Sequence, residues 1–208
     1  GFAGHTTLLL EAGARVLGID QDADARAAAS ERLAPYGDQF TLLPGNFGDL
    51  EDLLVEAGHD SVHGILADVG VSSYQLDQAA RGFSFRQAGP VDMRMNQSSG
   101  ETALALITRL TDRELARVLK TLGEEPYSRP IARAMHAWVA GPGPHDTRSL
   151  ADAISAAIPT RARVKLKHHP ATRTFQALRI AVNDELGALE QLLNTVPGRL
   201  RPGGRALI

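Results

Sequence analysis

Two aspartates that follow short apolar runs are the residues of this chain best placed to do chemistry. Asp20 closes the run at residues 15–20, and Asp68 comes directly after the run at residues 64–67. In open parallel sheets, ligands bind beyond the carboxyl ends of the strands. A carboxylate at such an end can bind a ribose diol, so Asp20 indicates a nucleoside-containing cofactor. Asp68 has a second interpretation, as the cap of a helix or turn.

The turn at residues 1–5 helps to separate two classes of cofactor. Its small residues would let backbone N–H groups approach a ligand, although a plain tight turn explains them equally well. Nicotinamide dinucleotides are bound by the pattern G-x-G-x-x-G, and here only Gly1 and Gly4 are present, with Ala3 in the middle position. A methyl donor has no pyrophosphate for the loop to hold. The incomplete pattern therefore favours S-adenosylmethionine.

Alternating strands and helices are predicted for the first part of the chain. Apolar runs at 15–20, 40–43 and 62–67 predict strands. Alanine-rich residues 22–33 and leucines at helical spacing within 50–57 predict the helices between them. This alternation is typical of a parallel sheet with right-handed crossovers.

Helical spacing replaces the alternation from residue 101 to residue 169. Thr111 with Glu114 predicts a capping box, and Gly123 predicts the end of that helix. Asp146 or Thr147 predicts the cap of a further helix. We therefore expect a helical insertion domain at 101–169.

A long helix is predicted to return to the sheet after this insertion. Its apolar residues form one stripe, made of Phe175, Leu178, Val182, Leu186, Leu189, Leu193 and Val196. The predicted α/β domain is therefore discontinuous and combines residues 1–100 with 170–208.

Positive charge is concentrated in one part of a chain whose net charge is only −2. No acid occurs between Ala153 and Asn183, where the cations are Arg161, Arg163, Lys165, Lys167, Arg173 and Arg179. This run predicts a phosphate-binding face, or else an exposed basic loop without a partner. The loop at 81–95 mixes arginines and aromatics that suit a splayed base, although its arginines could instead pair with Asp77 or Asp92.

Composition excludes several other functions. The chain has 208 residues, 43% of them hydrophobic, and no apolar run of about 18 residues, so we expect a buried core and no membrane span. It has no cysteine, which rules out thiolate zinc sites and suits a reducing compartment. No cluster of metal ligands stands out, so we expect no metal, and we expect His168 and His169 to be solvated or to face phosphate.

Four motifs resemble those of one family and follow the order of that family. They are Asp-Val-Gly-Val-Ser-Ser at 68–73, Arg-Gly-Phe-Ser-Phe at 81–85, Gly-Pro-Val-Asp-Met-Arg-Met at 89–95 and Pro-Ala-Thr-Arg-Thr-Phe-Gln-Ala-Leu-Arg-Ile-Ala-Val-Asn-Asp-Glu at 170–185. By these motifs the chain resembles the RsmH (MraW) family, bacterial enzymes that methylate N4 of a cytosine in the decoding region of 16S ribosomal RNA. The family carries a strand before the first turn and more sequence after the last one, so the chain reads as truncated at both ends.

The resemblance implies a Rossmann-like class I fold that depends on S-adenosylmethionine, with an inserted helical domain. The cofactor contacts that it implies are Ala3, Gly4, His5, Asp20, Phe47, Asp68 and Gln75. Phe47 would pack on the adenine, or else be a core aromatic beside a turn. The catalytic residues are expected to be Asp68 and Asn183. The RNA contacts are expected to be Arg81, Arg86, Arg94, Arg161, Arg163, Lys165, Lys167 and Arg173.

The resemblance also implies a mechanism and a partner. Asp68 or a neighbouring carbonyl would accept a hydrogen bond from the exocyclic amine and align it for in-line displacement at the sulfonium methyl. The expected partner is 16S ribosomal RNA within the small subunit, in the cytoplasm, and a homodimer is one oligomeric state open to the protein. Two alternatives remain: a non-catalytic RNA-binding module and a nucleotide-dependent oxidoreductase of similar fold.

Overall fold

The computed structural model describes residues 3–208, in which strands and helices alternate at both ends of the chain. The strands are β1 (Val16–Asp20), β2 (Phe40–Pro44), β3 (Val62–Leu66) and β4 (Leu200–Leu207). The helices are α1 (Gly4–Glu11), α2 (Ala23–Leu33), α3 (Leu50–Glu56), α4 (Ser73–Asp77), α5 (Ala103–Arg109), α6 (Asp112–Gly123), α7 (Ser128–Ala140), α8 (Thr147–Ala157), α9 (Thr160–Arg163), α10 (Thr172–Asn183) and α11 (Glu185–Arg199). Short 3-10 turns occur at Ala34–Gln39, Phe47–Asp49 and Ala79–Arg81.

These elements form two compact units. The strand unit combines the chain up to Ser72 with Met95–Gln97 and Glu185–Ile208, and it contains β1 to β4. The helical unit combines Ser73–Arg94 with Ser98–Asp184 and contains α4 to α10. The domain bounds predicted from the sequence fall at other residues and stay a prediction.

The three strands predicted in the first part of the chain are confirmed as β1, β2 and β3. β1 pairs in parallel with β2, with Asp20 opposite Pro44. β3 pairs in parallel with β4, with Leu66 opposite Leu207 and an irregular register near Gly64. The expected parallel pairing is therefore present, as two sheets of two strands each within residues 3–208.

A leucine-rich core holds the strand unit together. Leu50 and Leu54 of α3 meet Leu192 and Val196 of α11, and all four are buried. The partly buried residues packed against them are Leu17, Ile19, Phe47, Val62, Ile65, Ala67, Leu189 and Leu200. Burying one such aliphatic side chain stabilises a fold by about 1.5 to 3 kcal/mol. This cluster therefore fixes the strands that carry Asp20 and precede Asp68.

The helical unit begins its helices at the predicted caps. The Thr111 Oγ1 accepts a hydrogen bond from the Glu114 backbone N–H, and the Glu114 carboxylate accepts one from the Thr111 N–H, which confirms the capping box. Asp146 caps α8 by accepting from the Ser149 N–H at 2.8 Å. The capped helix α6 packs against both α7 and α10, and α7 packs against α8.

Gly123 ends α6 as predicted, but for a different physical reason. The left-handed residue that stops the helix is Glu124, with φ of 50°. A Cβ added to Gly123 would lie 2.5 Å from the Arg173 carbonyl oxygen and 2.9 Å from the Ala177 Cβ. The glycine is therefore required by the close approach of α6 and α10.

The prediction of one long helix with a single apolar stripe through residues 175–196 is wrong. Asp184 has a left-handed φ of 46° and separates α10 from α11. Leu186 and Leu193 are 53% and 50% exposed, whereas Leu192 is buried. The predicted stripe assumed an unbroken rotation of 100° per residue, and one left-handed residue ends that regularity.

Two features are absent from the part of the chain that the structure describes. None of its helices combines the length and the apolar character needed to cross a membrane. The same residues contain no group of three or more His, Asp or Glu side chains gathered as metal ligands.

Candidate functional site

The strand unit gives the Asp20 carboxylate a defined position at the end of β1. Its Oδ1 accepts a hydrogen bond from the Asp22 N–H at 2.9 Å. Its main-chain oxygen accepts from the Gly45 N–H at 3.3 Å and from the Arg26 Nη1 at 3.1 Å. Gly45 directly follows β2, so these bonds tie the ends of two parallel strands together. Asp20 therefore lies at the carboxyl end of a parallel strand, the edge at which open parallel sheets bind ligands, and its contact with a ribose stays a prediction.

The first turn of α1 begins in the predicted small-residue turn. Gly1 and Phe2 lie outside the described residues. Ala3 has a left-handed φ of 57°, and its carbonyl oxygen accepts from the Thr7 N–H at 2.9 Å. Within residues 3–208, no heavy atom other than those of its chain neighbours and its own helix lies within 4 Å of the point where a Gly4 Cβ would be. The first backbone N–H groups of a helix lack intrahelical partners, so this open turn suits a ligand with acceptor oxygens.

His5 of α1 and Asp68 after β3 come together in the strand unit. The His5 Nδ1 lies 3.4 Å from the Asp68 Oδ2, and the two side chains are 62% and 74% exposed. A pair this exposed contributes little to stability, and it is ionic only when the imidazole is protonated. The His5 imidazole is thus the side-chain neighbour of the Asp68 carboxylate, and a ligand-binding role for Asp68 stays a prediction. Its exposure leaves the carboxylate accessible.

Two amide side chains beside Asp20 were not predicted. The Asn46 Nδ2 donates to the Gln21 Oε1 at 3.5 Å, and the Gln21 Nε2 lies 3.4 Å from the Met95 Sδ. The Asn46 Oδ1 also accepts from the Gly48 N–H at 2.9 Å. Each amide lies within two residues of a strand end, and that position is the signal that could have identified both. They add hydrogen-bonding groups to the strand ends.

Phe47 is a partly buried aromatic against the core of the strand unit. The adjacent Gly48 approaches α11 so closely that a Cβ would lie 3.0 Å from the Ala188 Cα. These contacts agree with the interpretation of Phe47 as a core aromatic beside a turn. An adenine would have to cover the part of the ring that stays exposed.

Gln75 and Asn183, both predicted site residues, belong to the helical unit. Gln75 is buried on α4. The Asn183 Nδ2 donates to the Met93 main-chain oxygen at 2.7 Å and to the Arg179 main-chain oxygen at 2.9 Å. Met93 is fully buried and has a left-handed φ of 63°. Asn183 thus satisfies the carbonyl of a strained residue, and the catalytic role expected of it stays a prediction.

The arginines of the loop at 81–95 differ in exposure. Arg81 is buried, and its Nη2 donates to the Arg94 main-chain oxygen at 3.0 Å. Arg94 binds both oxygens of Asp92, with Nε at 2.8 Å from Oδ1 and Nη2 at 2.9 Å from Oδ2. Pairing with Asp92, the alternative left open by the sequence, is thus present for Arg94. Arg86 is exposed.

The charge state of Asp92 follows from this pairing. Burial raises its pKa, but the hydrogen bonds from Arg94 and the positive charges of Arg94 and Arg81 outweigh burial and hold the pKa below its ordinary value of 3.8. The Asp92 main-chain oxygen also accepts from the Ala103 N–H at 2.7 Å, at the start of α5. An ionised Asp92 therefore organises the loop and anchors it to the next helix.

The predicted phosphate-binding residues lie on or after α9, with Arg173 and partly buried Arg179 on α10. Arg161, Lys165 and Lys167 are exposed, and Arg163 is half-buried with its Nη2 2.9 Å from the Thr160 Oγ1. Arg173 is exposed, and its Nη1 donates to the Glu124 main-chain oxygen at 2.9 Å. The segment thus presents most of its cations to solvent, as phosphate binding requires.

Comparison with known proteins gives one consistent family. The chain matches the MraW methylase family over residues 1–208. It is 53% identical over 206 residues to the ribosomal RNA small subunit methyltransferase H of Anaeromyxobacter sp. (strain K), covering 99% of this chain and 66% of that protein. The protein of the same name from Synechococcus sp. (strain WH7803) is 51% identical over 208 residues, which cover 98% of this chain and 66% of the relative. The one from Geobacter sulfurreducens is 50% identical over 212 residues, with 100% and 68% covered.

The matches cover nearly all of this chain but only part of each relative. The chain spans 66% of the length of the Anaeromyxobacter protein, slightly less than two thirds. Its own residues are matched from first to last, including the strand ends, the loop at 81–95 and α10. The chain belongs to the MraW methylase family.

Proposed function

We propose that this protein transfers a methyl group from S-adenosylmethionine to N4 of a cytidine in the decoding region of 16S ribosomal RNA. The observation that carries the proposal is the family match over residues 1–208. The relatives at 50 to 53% identity are named ribosomal RNA small subunit methyltransferases. The choice of cytidine as the methylated nucleotide and of N4 as the methylated atom rests on the four motifs that resemble the RsmH family.

The strand unit is proposed to be a Rossmann-like class I methyltransferase fold, with the helical residues 101–169 as an insertion. The parallel pairing of β1 with β2 and of β3 with β4 supports this fold. Ligands of such folds lie beyond the carboxyl ends of the strands. Asp20, Asn46 and Asp68 all follow or end these strands.

The cofactor would be held by Ala3, Gly4, His5, Asp20, Phe47, Asp68 and Gln75. The donor set fits a nucleoside: a strand-end carboxylate for the ribose, an aromatic face for the adenine and an open helix start for acceptor oxygens. When bound, S-adenosylmethionine supplies a methyl group on a positively charged sulfur, which needs no metal. The negative charge of the exposed Asp68 carboxylate would suit a positively charged cofactor.

Asp68 is proposed to hold the nucleophile. The cytosine N4 amine is a poor nucleophile because its lone pair is delocalised into the ring. An exposed carboxylate can accept a hydrogen bond from this amine, orient it and favour the positive charge that develops on nitrogen. The proton released after transfer would pass to Asp68 or to water. Asn183 is proposed as the second catalytic residue.

The substrate is proposed to be 16S ribosomal RNA within the small subunit, in the cytoplasm. The exposed cations Arg86, Arg161, Lys165, Lys167 and Arg173, with half-buried Arg163, would contact its phosphates. Arg81 and Arg94 are held inside the loop, so their contribution would be to shape the loop that receives the base.

Transfer of a tritiated methyl group from S-adenosylmethionine to small subunits lacking the modification tests the proposal. Asp68→Asn should lower the rate by about 100-fold or more, because it removes the negative charge while keeping the shape. Asp60→Asn is the matched control, since Asp60 is an exposed aspartate just before the other end of β3, and it should retain wild-type activity.

Cofactor binding, measured by calorimetry on the same proteins, separates the ways in which the proposal could fail. Binding of S-adenosylmethionine without methyl transfer would point to another substrate. RNA binding without cofactor binding would favour the non-catalytic module. Binding of a nicotinamide dinucleotide instead would favour the oxidoreductase.

A further inference from the structure

Three aromatic rings of the helical unit form a stack from its core to its surface. Phe175 of α10 is buried. Phe85 stands edge-on to it, with ring centroids 4.8 Å apart and planes at 74°. The imidazole of His169 lies against Phe85, with centroids 4.5 Å apart and planes tilted by 35°. His169 is exposed, so it forms the outer layer of an anchored aromatic stack.

The start of α10 fixes the orientation of His169. The Ala171 N–H donates to its Nδ1 at 3.2 Å, and the Thr172 N–H donates to its main-chain oxygen at 3.0 Å. With Nδ1 as an acceptor, the neutral ring carries its proton on Nε2. The ring therefore offers a π face and an N–H donor in a fixed position, which limits the entropy lost on binding.

Cations lie beside the stack. The Arg148 Nη2 donates to the main-chain oxygen of Arg86, the residue that follows Phe85, at 2.9 Å, and both arginines are exposed. Lys167 is exposed two residues before His169, and no acid occurs in the sequence from Ala153 to Asn183. A polyanion approaching the aromatic stack would thus meet a positively charged rim.

We propose that His169, supported by Phe85, is a stacking site for one unpaired nucleobase of the RNA, and that Arg86 and Arg148 contact the neighbouring phosphates. The inference rests on the proposed function and adds a specific binding subsite to it. Aromatic faces combined with phosphate-binding cations are how proteins hold single-stranded RNA. An acidic peptide fits the site less well than RNA, because its carboxylates would pair with the arginines but nothing in it would stack on the His169 ring.

The stack also distinguishes between the two phenylalanines of the loop. Phe83 is buried, and the Arg81 guanidinium lies 5.8 Å from the centroid of its ring. Phe83 therefore belongs to the interior of the loop. Phe85 is half-buried and carries the exposed imidazole, so the base-stacking surface lies at Phe85 and His169.

Anisotropy of a labelled single-stranded RNA with the decoding-region sequence tests the subsite in the purified protein. Stacking on an aromatic side chain contributes about 1 to 3 kcal/mol per base, so His169→Ala should raise Kd at least about fivefold. His169→Phe keeps a π face and should retain affinity within about twofold of wild type. His168→Ala is the matched control, because it removes the neighbouring exposed histidine and should leave Kd nearly unchanged.

A salt series and an abasic scan of the RNA separate stacking from charge. His169→Ala should leave the slope of log Kd against log salt unchanged, whereas Arg148→Gln should lower it by about 0.7. One abasic position should weaken wild-type binding and have no further effect on His169→Ala. Equal fluorescence of Trp138 and equal urea midpoints would verify that the variants are folded.

Several results would overturn the inference. They are an unchanged Kd for His169→Ala, failure of His169→Phe to restore affinity, equal competition by a polyglutamate peptide, and no RNA binding by the wild type. The methyl-transfer assay distinguishes this failure from failure of the proposed function. If His169→Ala leaves Kd unchanged but the protein still transfers methyl groups, only the stacking subsite is contradicted. If RNA binding depends on His169 but no methyl group is transferred, only the proposed enzymatic function is contradicted.

Discussion

Asn183 and Met93 depend on each other although they lie far apart in the sequence. Met93 has a positive φ, which costs a non-glycine residue about 1 to 3 kcal/mol and persists only where surrounding bonds hold it. Its N–H donates to the Arg81 main-chain oxygen at 3.0 Å, and its carbonyl accepts from the Asn183 Nδ2 at 2.7 Å. Asn183 therefore holds the loop at 81–95 in its strained form.

Asn183→Ala should lower the free energy of unfolding of the helical unit by about 1 to 3 kcal/mol, because a buried carbonyl loses its donor. Trp138 is the single tryptophan of the chain and lies on α7, so its fluorescence in urea reports this unit. Asn194→Ala removes an exposed amide from α11 and should change little. Lost activity with unchanged stability would instead favour a purely catalytic role for Asn183.

The Asp92 and Arg94 pair predicts a pH dependence of stability. Burial raises the Asp92 pKa, but the hydrogen bonds and charge of Arg94, with the charge of Arg81, together lower it by more than burial raises it, so the folded value lies below 3.8. The pair therefore stabilises the fold fully above pH 3.8, and this contribution is lost as pH falls through the folded pKa. Urea unfolding of wild type and Asp92→Asn should differ most near neutrality and converge in acid. A difference that grows toward low pH would contradict this assignment.

The boundary between α6 and α7 is set by backbone geometry that composition does not reveal. Glu124 adopts φ of 50° at the end of α6, a conformation in which glycine is favoured. Its main-chain oxygen accepts from Arg173, and Gly123 approaches the Arg173 carbonyl. The end of α6 is thus in direct contact with the first turn of α10.

Glu124→Gly should raise the free energy of unfolding by about 0.5 to 1 kcal/mol, because it relieves the left-handed strain at an exposed site. Glu124→Ala keeps a Cβ and should give no comparable gain. The urea midpoint from Trp138 fluorescence measures both variants. If glycine and alanine changed the urea midpoint equally, loss of the Glu124 side chain, and not relief of its φ, would explain the change in stability.

Sequence reasoning succeeded where one periodic pattern decides local structure. The strands β1 to β3 and the caps at Thr111 and Asp146 follow from apolar runs and side-chain acceptors beside helix starts. It failed at Asp184, because a single left-handed residue leaves almost no trace in hydrophobic spacing. The division of strands β1 to β4 into two separate sheets could not be predicted either, because strand order depends on contacts between residues that are distant in the sequence.

The site was predictable to a similar extent. The positions of Asp20 and Asp68 at strand ends could be predicted because each acid follows a short apolar run, and their roles stay predictions. Gln21 and Asn46 were missed because polar residues after strands are ordinary loop residues until their mutual bond is seen. The internal pairing of Arg94 could be stated only as an alternative, because a loop sequence does not define which cations face inward.

The molecule as a whole is nearly neutral, yet its charges are segregated. The net charge is −2, while the run from Ala153 to Asn183 holds six cations and no acid. Electrostatic attraction of RNA should therefore come mainly from this segment, with Arg86 and Arg148 of the same unit, and not from the protein at large. Binding would be local and sensitive to ionic strength.

The affinity for single-stranded RNA should fall with salt in proportion to the cations engaged. Each phosphate neutralised on a single strand contributes about 0.7 to the slope, so six contacts predict a slope of log Kd against log salt near 4. Replacing Lys165 and Lys167 by alanine should lower the slope by about 1.4. A slope close to zero for the wild type would exclude this segment as the phosphate-binding face.

The central claim is most directly tested by identifying the methylated nucleoside. Small subunits lacking the modification would be incubated with S-adenosylmethionine and the protein, digested to nucleosides and analysed by mass spectrometry, with Asp68→Ala in parallel. We predict N4-methylcytidine from the wild type and its loss in the variant. A different methylated nucleoside, or none from a folded protein that binds the cofactor, would contradict the assignment of this chain as a cytosine-N4 methyltransferase.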